Sequence, residues 1–257
     1  MFFVFRISRK RLMVVGLLAL ALLAGVVSGP LVRTTAGAAR LIPVYSIDTK
    51  EKVVALTFDI SWGTLVPEPV LDVLREKEVT STFFLSGPWV ERNQEIALKI
   101  KEDGHEIASH GYRHVNLSGL SAAEIQTELL KASRAIEDVL RVKPWLLRTP
   151  NGDYNNKVVE AAESLGYTVI QWDTDSLDWT KPGVKAIVDR VLKKVHPGDI
   201  ILFHASDSAT DTPEALPLVI DALRKEGYRF VTVSELLQLD PQKRWENMPG
   251  PPKRQGT

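Results

Sequence analysis

The sequence predicts an α/β fold built on a parallel sheet, open or closed into a barrel, preceded by an apolar segment of membrane length. Three observations predict it. Short apolar runs rich in β-branched residues alternate with amphipathic helical runs along most of the 257 residues, the pattern of successive β/α units. The strand-like runs are apolar throughout, as buried strands are. An uncharged stretch over 12–32 follows a basic cluster of Arg6, Arg9, Lys10 and Arg11.

In chain order, residues 1–11 form a basic terminus expected to stay in the cytoplasm. Residues 12–32 would span roughly 30 Å as a helix, about a bilayer core. That length favours a retained single-pass anchor, with Ala36-Gly37-Ala38 offering the alternative of a cleaved signal and a secreted chain. In both cases the rest of the chain is expected outside the cytoplasm. A connector over 33–50 leads to one domain over 51–239. Strands are expected at 53–58, 81–85, 105–109, 145–148, 168–172, 199–204 and 229–232. Helices are expected at 67–77, 94–103, 121–140, 155–165, 184–195, 213–226 and 233–239. Ser121 and Glu124 make a capping box for the longest helix, while Gly104 and Gly166 end two others. The tail over 240–257, with its prolines and mixed charges, is expected to be a disordered extension.

Bulk composition narrows the chemistry. Lys+Arg and Asp+Glu are equal at 32 each, so no basic excess points to nucleic acid. With no cysteine, disulfides, thiolate metal sites and a cysteine nucleophile are excluded, which leaves any metal to His and carboxylate ligands. A monomer is expected.

Ligands gather at the C-terminal ends of parallel strands, and there the sequence places Asp59, His110, His114, Arg148, Asp173, Asp175, Asp178 and His204. His110 and His114, four residues apart, converge on one metal if their segment takes a helical turn, and are otherwise surface or capping residues. His204 ends a strongly apolar strand. It reads either as a core histidine satisfied by backbone or as a general acid kept protonated by Asp178. Arg148, in Arg148-Thr149-Pro150-Asn151-Gly152, is a turn residue or the partner that holds Asp59 ionised. Trp179 packs or serves as a platform for a sugar ring, and the three aspartates near it are alternatively loop caps.

Together these residues resemble the polysaccharide deacetylase family, the carbohydrate esterases with a NodB homology domain. Five motifs stand in the family's order: Thr57-Phe58-Asp59, Ser109-His110-Gly111-Tyr112-Arg113-His114, Arg148-Thr149-Pro150-Asn151-Gly152, Asp175-Ser176-Leu177-Asp178-Trp179 and Leu202-Phe203-His204. The resemblance implies a distorted β/α barrel and metal-assisted hydrolysis of N-acetyl groups on amino sugars of a cell-wall glycan such as peptidoglycan. It makes Asp59 the base, His110 and His114 ligands of a divalent metal, zinc or cobalt, and Arg148 the residue that orients Asp59. It makes His204 the acid tuned by Asp178, a backbone N–H near Asn151 an oxyanion donor, and Leu202 part of the acetyl pocket.

One position departs from the pattern. Ile60 stands where family members with full metal sites carry a second aspartate, the third protein ligand, so metal affinity is expected to be weak or absent unless another carboxylate substitutes. The alternative function is therefore a weakly active or inactive glycan-binding member. The Thr-Phe-Asp-Ile-Ser-Trp-Gly stretch and Arg-Thr-Pro-Asn-Gly-Asp-Tyr-Asn are similar to the sporulation-associated, PdaB-like subgroup.

Overall fold

A computed structural model describes residues 39–240. The basic terminus, the apolar 12–32 segment, the start of the connector and the tail beyond 240 lie outside the described residues. Among the described residues no helix is long and apolar enough to cross a membrane.

Eight strands and eight α-helices alternate along the described chain. They are β1 (Val53–Ile60), α1 (Pro67–Glu76), β2 (Thr82–Leu85), α2 (Gly87–Arg92), α3 (Gln94–Glu102), β3 (Glu106–Ser109), α4 (Ala122–Leu140) and β4 (Leu146–Leu147). Then follow α5 (Asn156–Ser164), β5 (Thr168–Val169), β6 (Thr174–Asp175), α6 (Val184–Lys194), β7 (Asp199–His204), α7 (Thr212–Lys225), β8 (Arg229–Phe230) and α8 (Val233–Gln238). The strands form one parallel sheet in the order β5-β4-β3-β2-β1-β7-β6, with β8 also paired to β1. No ladder joins β5 to β6 among the described strands, so the barrel is incomplete. The stretch before β1 lies on both sides of that gap, through bridges Val44↔Ile170 and Ser46↔Asp199.

The pleat of β1 divides the core. Val54, Leu56, Phe58 and Ile60 pack with Leu71, Leu74 and Trp89 in a layer under the helices. Val53 and Ala55 pack on the opposite face with Phe84, Ala108, Ile200 and Leu236. Successive strand residues point to opposite faces, so Thr57 and Asp59 belong with the second set, and Asp59 emerges where that interior opens. All eight residues of β1 are buried, which is why the run reads as continuously apolar up to its one carboxylate.

Several elements differ from expectation. Helix α2 follows Ser86 directly, with Pro88 in its first turn, a position where the missing N–H costs nothing; Gly87-Pro88 otherwise reads as a break. The strands expected at 145–148 and 168–172 pair over only two residues each, because Arg148 and Trp172 already belong to the loops at the sheet's end. Strand β6 is also two residues long, too short to carry a period. The capping box at Ser121 and Glu124 forms as expected.

Candidate active site

The C-terminal ends of six strands and the loops that follow them enclose a cleft of about 600 Å³. Its lining includes Asp59, His110, His114, Asn151, Asp175, Trp179, Leu202 and His204, and the side chains of Arg148 and Asp178 stand just behind it. Asp173 is the exception: it turns away to His196, with Nε2 2.9 Å from its carboxylate, and is absent from the cleft.

Asp59 and Arg148 form the centre. Arg148 is fully buried. Its guanidinium donates to Asp59 Oδ1 at 2.8 Å, Thr57 Oγ1 at 2.9 Å and the Gln171 carbonyl at 3.0 Å, and lies 4.1 Å from the centre of the Phe84 ring. A fork with this many fixed contacts leaves the carboxylate one orientation. Burial by itself would raise the Asp59 carboxyl. Arg148, and after it His110 and His204, outweigh that, so the group is held below its ordinary value and is ionised.

His204 and Asp178 form the second pair. Asp178 accepts four hydrogen bonds: Oδ1 from Trp179 N–H and His204 Nδ1, both at 2.8 Å, and Oδ2 from His204 N–H and Thr212 Oγ1, both at 2.7 Å. The carboxylate can only accept, so Nδ1 carries a proton and Nε2 is left facing the cleft. Burial would lower the His204 imidazole, but the Asp178 hydrogen bond and charge, with Asp59 and Asp175, carry it above its ordinary value. In the sheet, Asp59 and His204 are direct register partners on β1 and β7. The Arg148-paired carboxylate and the Asp178-paired imidazole therefore stand side by side.

The two remaining histidines come together without the helical turn the spacing suggests. The segment after β3 is an irregular loop, with Gly111 at φ +74°, and the His110 and His114 ring centres lie 5.4 Å apart. His110 Nδ1 is 2.9 Å from the Arg148 carbonyl, which can only accept. Its Nε2 is then a lone pair, 3.6 Å from Asp59 Oδ2. Burial first of all pushes His110 down to about 4, against the pull of Asp59, and burial also lowers His114. Two neutral imidazoles beside a carboxylate are the donor chemistry of a divalent cation. The set is nevertheless short: among the described residues no three His, Asp or Glu side chains are drawn up to enclose an ion, and Asp59 is already engaged by Arg148.

Ile60 does not make up the deficit. It is fully buried in the layer under the helices and does not line the cleft. Ile60→Asp is expected to destabilise the cation-free protein by roughly 3 kcal/mol, because a carboxylate replaces well-packed apolar volume. Zinc or cobalt should then raise the melting temperature of the variant more than that of the parent chain, as a third ligand swings toward the histidines. An equal response in the two proteins rejects that assignment of position 60.

Asn151 lines the cleft in a left-handed conformation, φ +58°, its side chain donating to Asn116 Oδ1 at 2.7 Å. The side-chain amide is thus fixed. Leu202 is buried in the cleft wall, and Trp179 is 50% exposed at the rim. Sequence reasoning missed Thr57, Gln171 and Thr212, which act through Arg148 and Asp178, and also Trp62 and Trp172 in the cleft. Thr57 precedes Asp59 by two residues on one strand face, a signal the alternation of β1 contains. The others depend on how separate loops meet.

The family model for polysaccharide deacetylases matches residues 46–170. A peptidoglycan-N-acetylglucosamine deacetylase of Bacillus cereus is 36% identical over 197 residues, 76% of this chain and 92% of that protein. The chain belongs to the polysaccharide deacetylase family. Within the family it is also 35% identical over 195 residues to YlxY of Bacillus subtilis, an uncharacterised protein, and this match spans 76% of the chain but only 60% of YlxY. Among solved structures, a CE4 family pseudoenzyme from Bacillus anthracis superposes with a TM-score of 0.72 at 34% identity, covering 76% of this chain and 68% of that one. A mutant of that pseudoenzyme is described as having restored enzymatic activity.

Proposed function

We propose that this polysaccharide deacetylase family member is an N-deacetylase that hydrolyses the acetamide of amino sugars in a peptidoglycan-type polymer. The observation that carries the reading is the placement of Asp59 and His204 side by side in register, the carboxylate paired with the Arg148 guanidinium and the imidazole with the Asp178 carboxylate. A protein that only held glycan would need neither group in that state. The relative named for peptidoglycan N-acetylglucosamine supports the substrate class.

Asp59 removes a proton from the attacking water, and the water oxygen bonds to the acetyl carbonyl carbon. A backbone N–H near Asn151 donates to the oxygen that gains charge. The C–N bond then breaks, the amine takes the proton on His204 Nε2, and acetate leaves. Arg148 keeps Asp59 aimed, Asp178 keeps His204 in the required tautomer, and Leu202 packs against the methyl group. His110 and His114 would hold a divalent cation, zinc or cobalt, whose contribution is to polarise the carbonyl and acidify the water.

A second reading rests on Ile60. Without a third cation ligand the cleft would bind glycan with little or no turnover, as a pseudoenzyme relative shows that this fold persists without activity. The deciding experiment is acetate release from N-acetylated chito-oligomers and peptidoglycan fragments after chelation, and after zinc, cobalt or manganese is returned. Release that disappears on chelation and returns with metal is the expected result. Bound glycan with no release under any metal selects the second reading.

Membrane attachment through 12–32 with an extracytoplasmic domain is part of the same proposal, supported by the basic cluster before the apolar stretch. The PdaB-like signatures support action on spore peptidoglycan.

A further inference from the structure

The gap between β5 and β6 is where the sheet stops closing on itself, and the stretch before β1 runs through it as a strap. Its backbone is bonded on both sides. The Val44 N–H donates to the Val169 carbonyl at 2.9 Å and the Val44 carbonyl accepts from the Gln171 N–H at 2.7 Å, while the Ile47 N–H donates to the Gly198 carbonyl at 2.9 Å. Side chains add to this: Ser46 Oγ donates to Asp173 Oδ2 at 3.4 Å, and the Tyr45 hydroxyl to that of Tyr154 at 3.0 Å. The seat at Gly198 is shaped for close passage. At its φ of +81°, a Cβ would lie 2.1 Å from the Ile47 carbonyl oxygen, so a larger residue would lift the strap away.

What the strap holds is the loop that holds Arg148. Gln171 meets the strap through its N–H and Arg148 through its carbonyl, which accepts from Nη2 at 3.0 Å. Its side-chain amide donates to Thr149 Oγ1 at 2.9 Å, next to Arg148 in the chain. Trp172 packs against the cluster that contains Val44 and Ile47, and its ring centre lies 5.4 Å from the Arg148 guanidinium. Nε of Arg148 has no partner among the described residues, and Nη1 serves Thr57 and Asp59. Without the Gln171 carbonyl the buried guanidinium would be pinned at one corner, with an unpaired donor at another.

We propose that the strap over 44–47 is part of the active site: Val44 and Ile47 are positioning residues that fix Gln171 and, through its carbonyl, the direction from which Arg148 meets Asp59. What that direction serves rests on the N-deacetylase reading. The positioning itself does not.

The test is hydrogen exchange followed by NMR on the isotope-labelled full chain, for the wild type, V44P, G198A and L223A. V44P deletes the N–H that begins the strap and G198A crowds its end, while Leu223, buried in the layer under the helices, is the control for general loss of stability. V44P and G198A are expected to speed exchange of the Gln171 N–H and the Arg148 Nη protons at least about tenfold relative to the Leu56 and Phe58 amides of β1. L223A should speed all of them alike, as global opening does. Acetate release per folded molecule should fall about tenfold or more in V44P with KM unchanged, because Arg148 aims the base and does not touch the glycan. Arg148 protons that keep pace with the β1 amides in V44P overturn the proposal, whether or not G198A folds, as does faster exchange with undiminished turnover. A wild type that releases no acetate overturns the deacetylase reading alone, and the exchange measurement then decides the strap.

Discussion

Arg148→Met is expected to lower stability by about 3–5 kcal/mol and to reduce acetate release a hundredfold or more, because it leaves the buried Asp59 carboxylate without its counter-charge. The two effects have one cause. Burial already favours the protonated Asp59 carboxyl, and Arg148 is first among the groups that oppose it. Without the guanidinium the carboxyl rises, and less of the base is ionised at neutral pH. Asp59 in the parent protein has a folded value below the ordinary ~3.9. Its stabilising contribution is therefore complete above that pH and is lost as pH falls through the folded value. In the variant this acid-side loss should begin at higher pH. Thermal unfolding across a pH series measures it. The double variant Asp59→Asn with Arg148→Met should recover much of the stability and remain inactive, since both charges are gone. Failure to recover would mean that Arg148 acts mainly through Thr57, the Gln171 carbonyl and the Phe84 ring.

Asp178→Asn should reduce turnover by about a hundred- to ten-thousand-fold and move the alkaline limb of the pH profile to lower pH. The carboxylate meets two donors at each oxygen. Whichever way an amide is turned, its NH2 faces two donors, which leaves buried groups unpaired at about 1–3 kcal/mol each. The imidazole also loses the first-ranked contributions that oppose burial, so its value falls. The sign is opposite to that of Asp59. A raised histidine stabilises the fold fully below the ordinary ~6.5 and loses that contribution as pH climbs through the folded value. The parent chain should thus work between an acid limb below ~3.9 and an alkaline limb above ~6.5. An Asp178→Asn profile whose alkaline limb does not move would remove His204 from the role of acid.

Much of this was legible in the chain. The β1 run announced both the central strand and the carboxylate at its C-terminal end, the end where ligands gather in parallel sheets. His204 was legible for the same reason, and the Asp59–Arg148 and His204–Asp178 pairings follow once each residue is placed just past a strand. What was not legible depends on loops. The approach of His110 to His114 uses a Gly111 conformation that no periodicity encodes. Asp173 and Asp175 lie two residues apart, the first just before a two-residue strand and the second at its end, and nothing in the spacing says which of them reaches the cleft. Trp62 reads as one more apolar residue until Asp207, from the far side of the sequence, is seen to fix the loop beneath it by accepting from the Leu65 N–H.

The register of Asp59 against His204 has one further consequence. Neighbouring strands lie about 4.8 Å apart, so the lateral interval between the backbone positions that carry Asp59 and His204 is set by peptide hydrogen bonding in the middle of the sheet. Substitutions around the cleft can silence either group or change what reaches it, but they leave the interval itself intact. A lineage that lost turnover would keep the spacing as a by-product of staying folded. In such a lineage, recovering activity would require only the missing ligands and contacts, with no rebuilding of the frame.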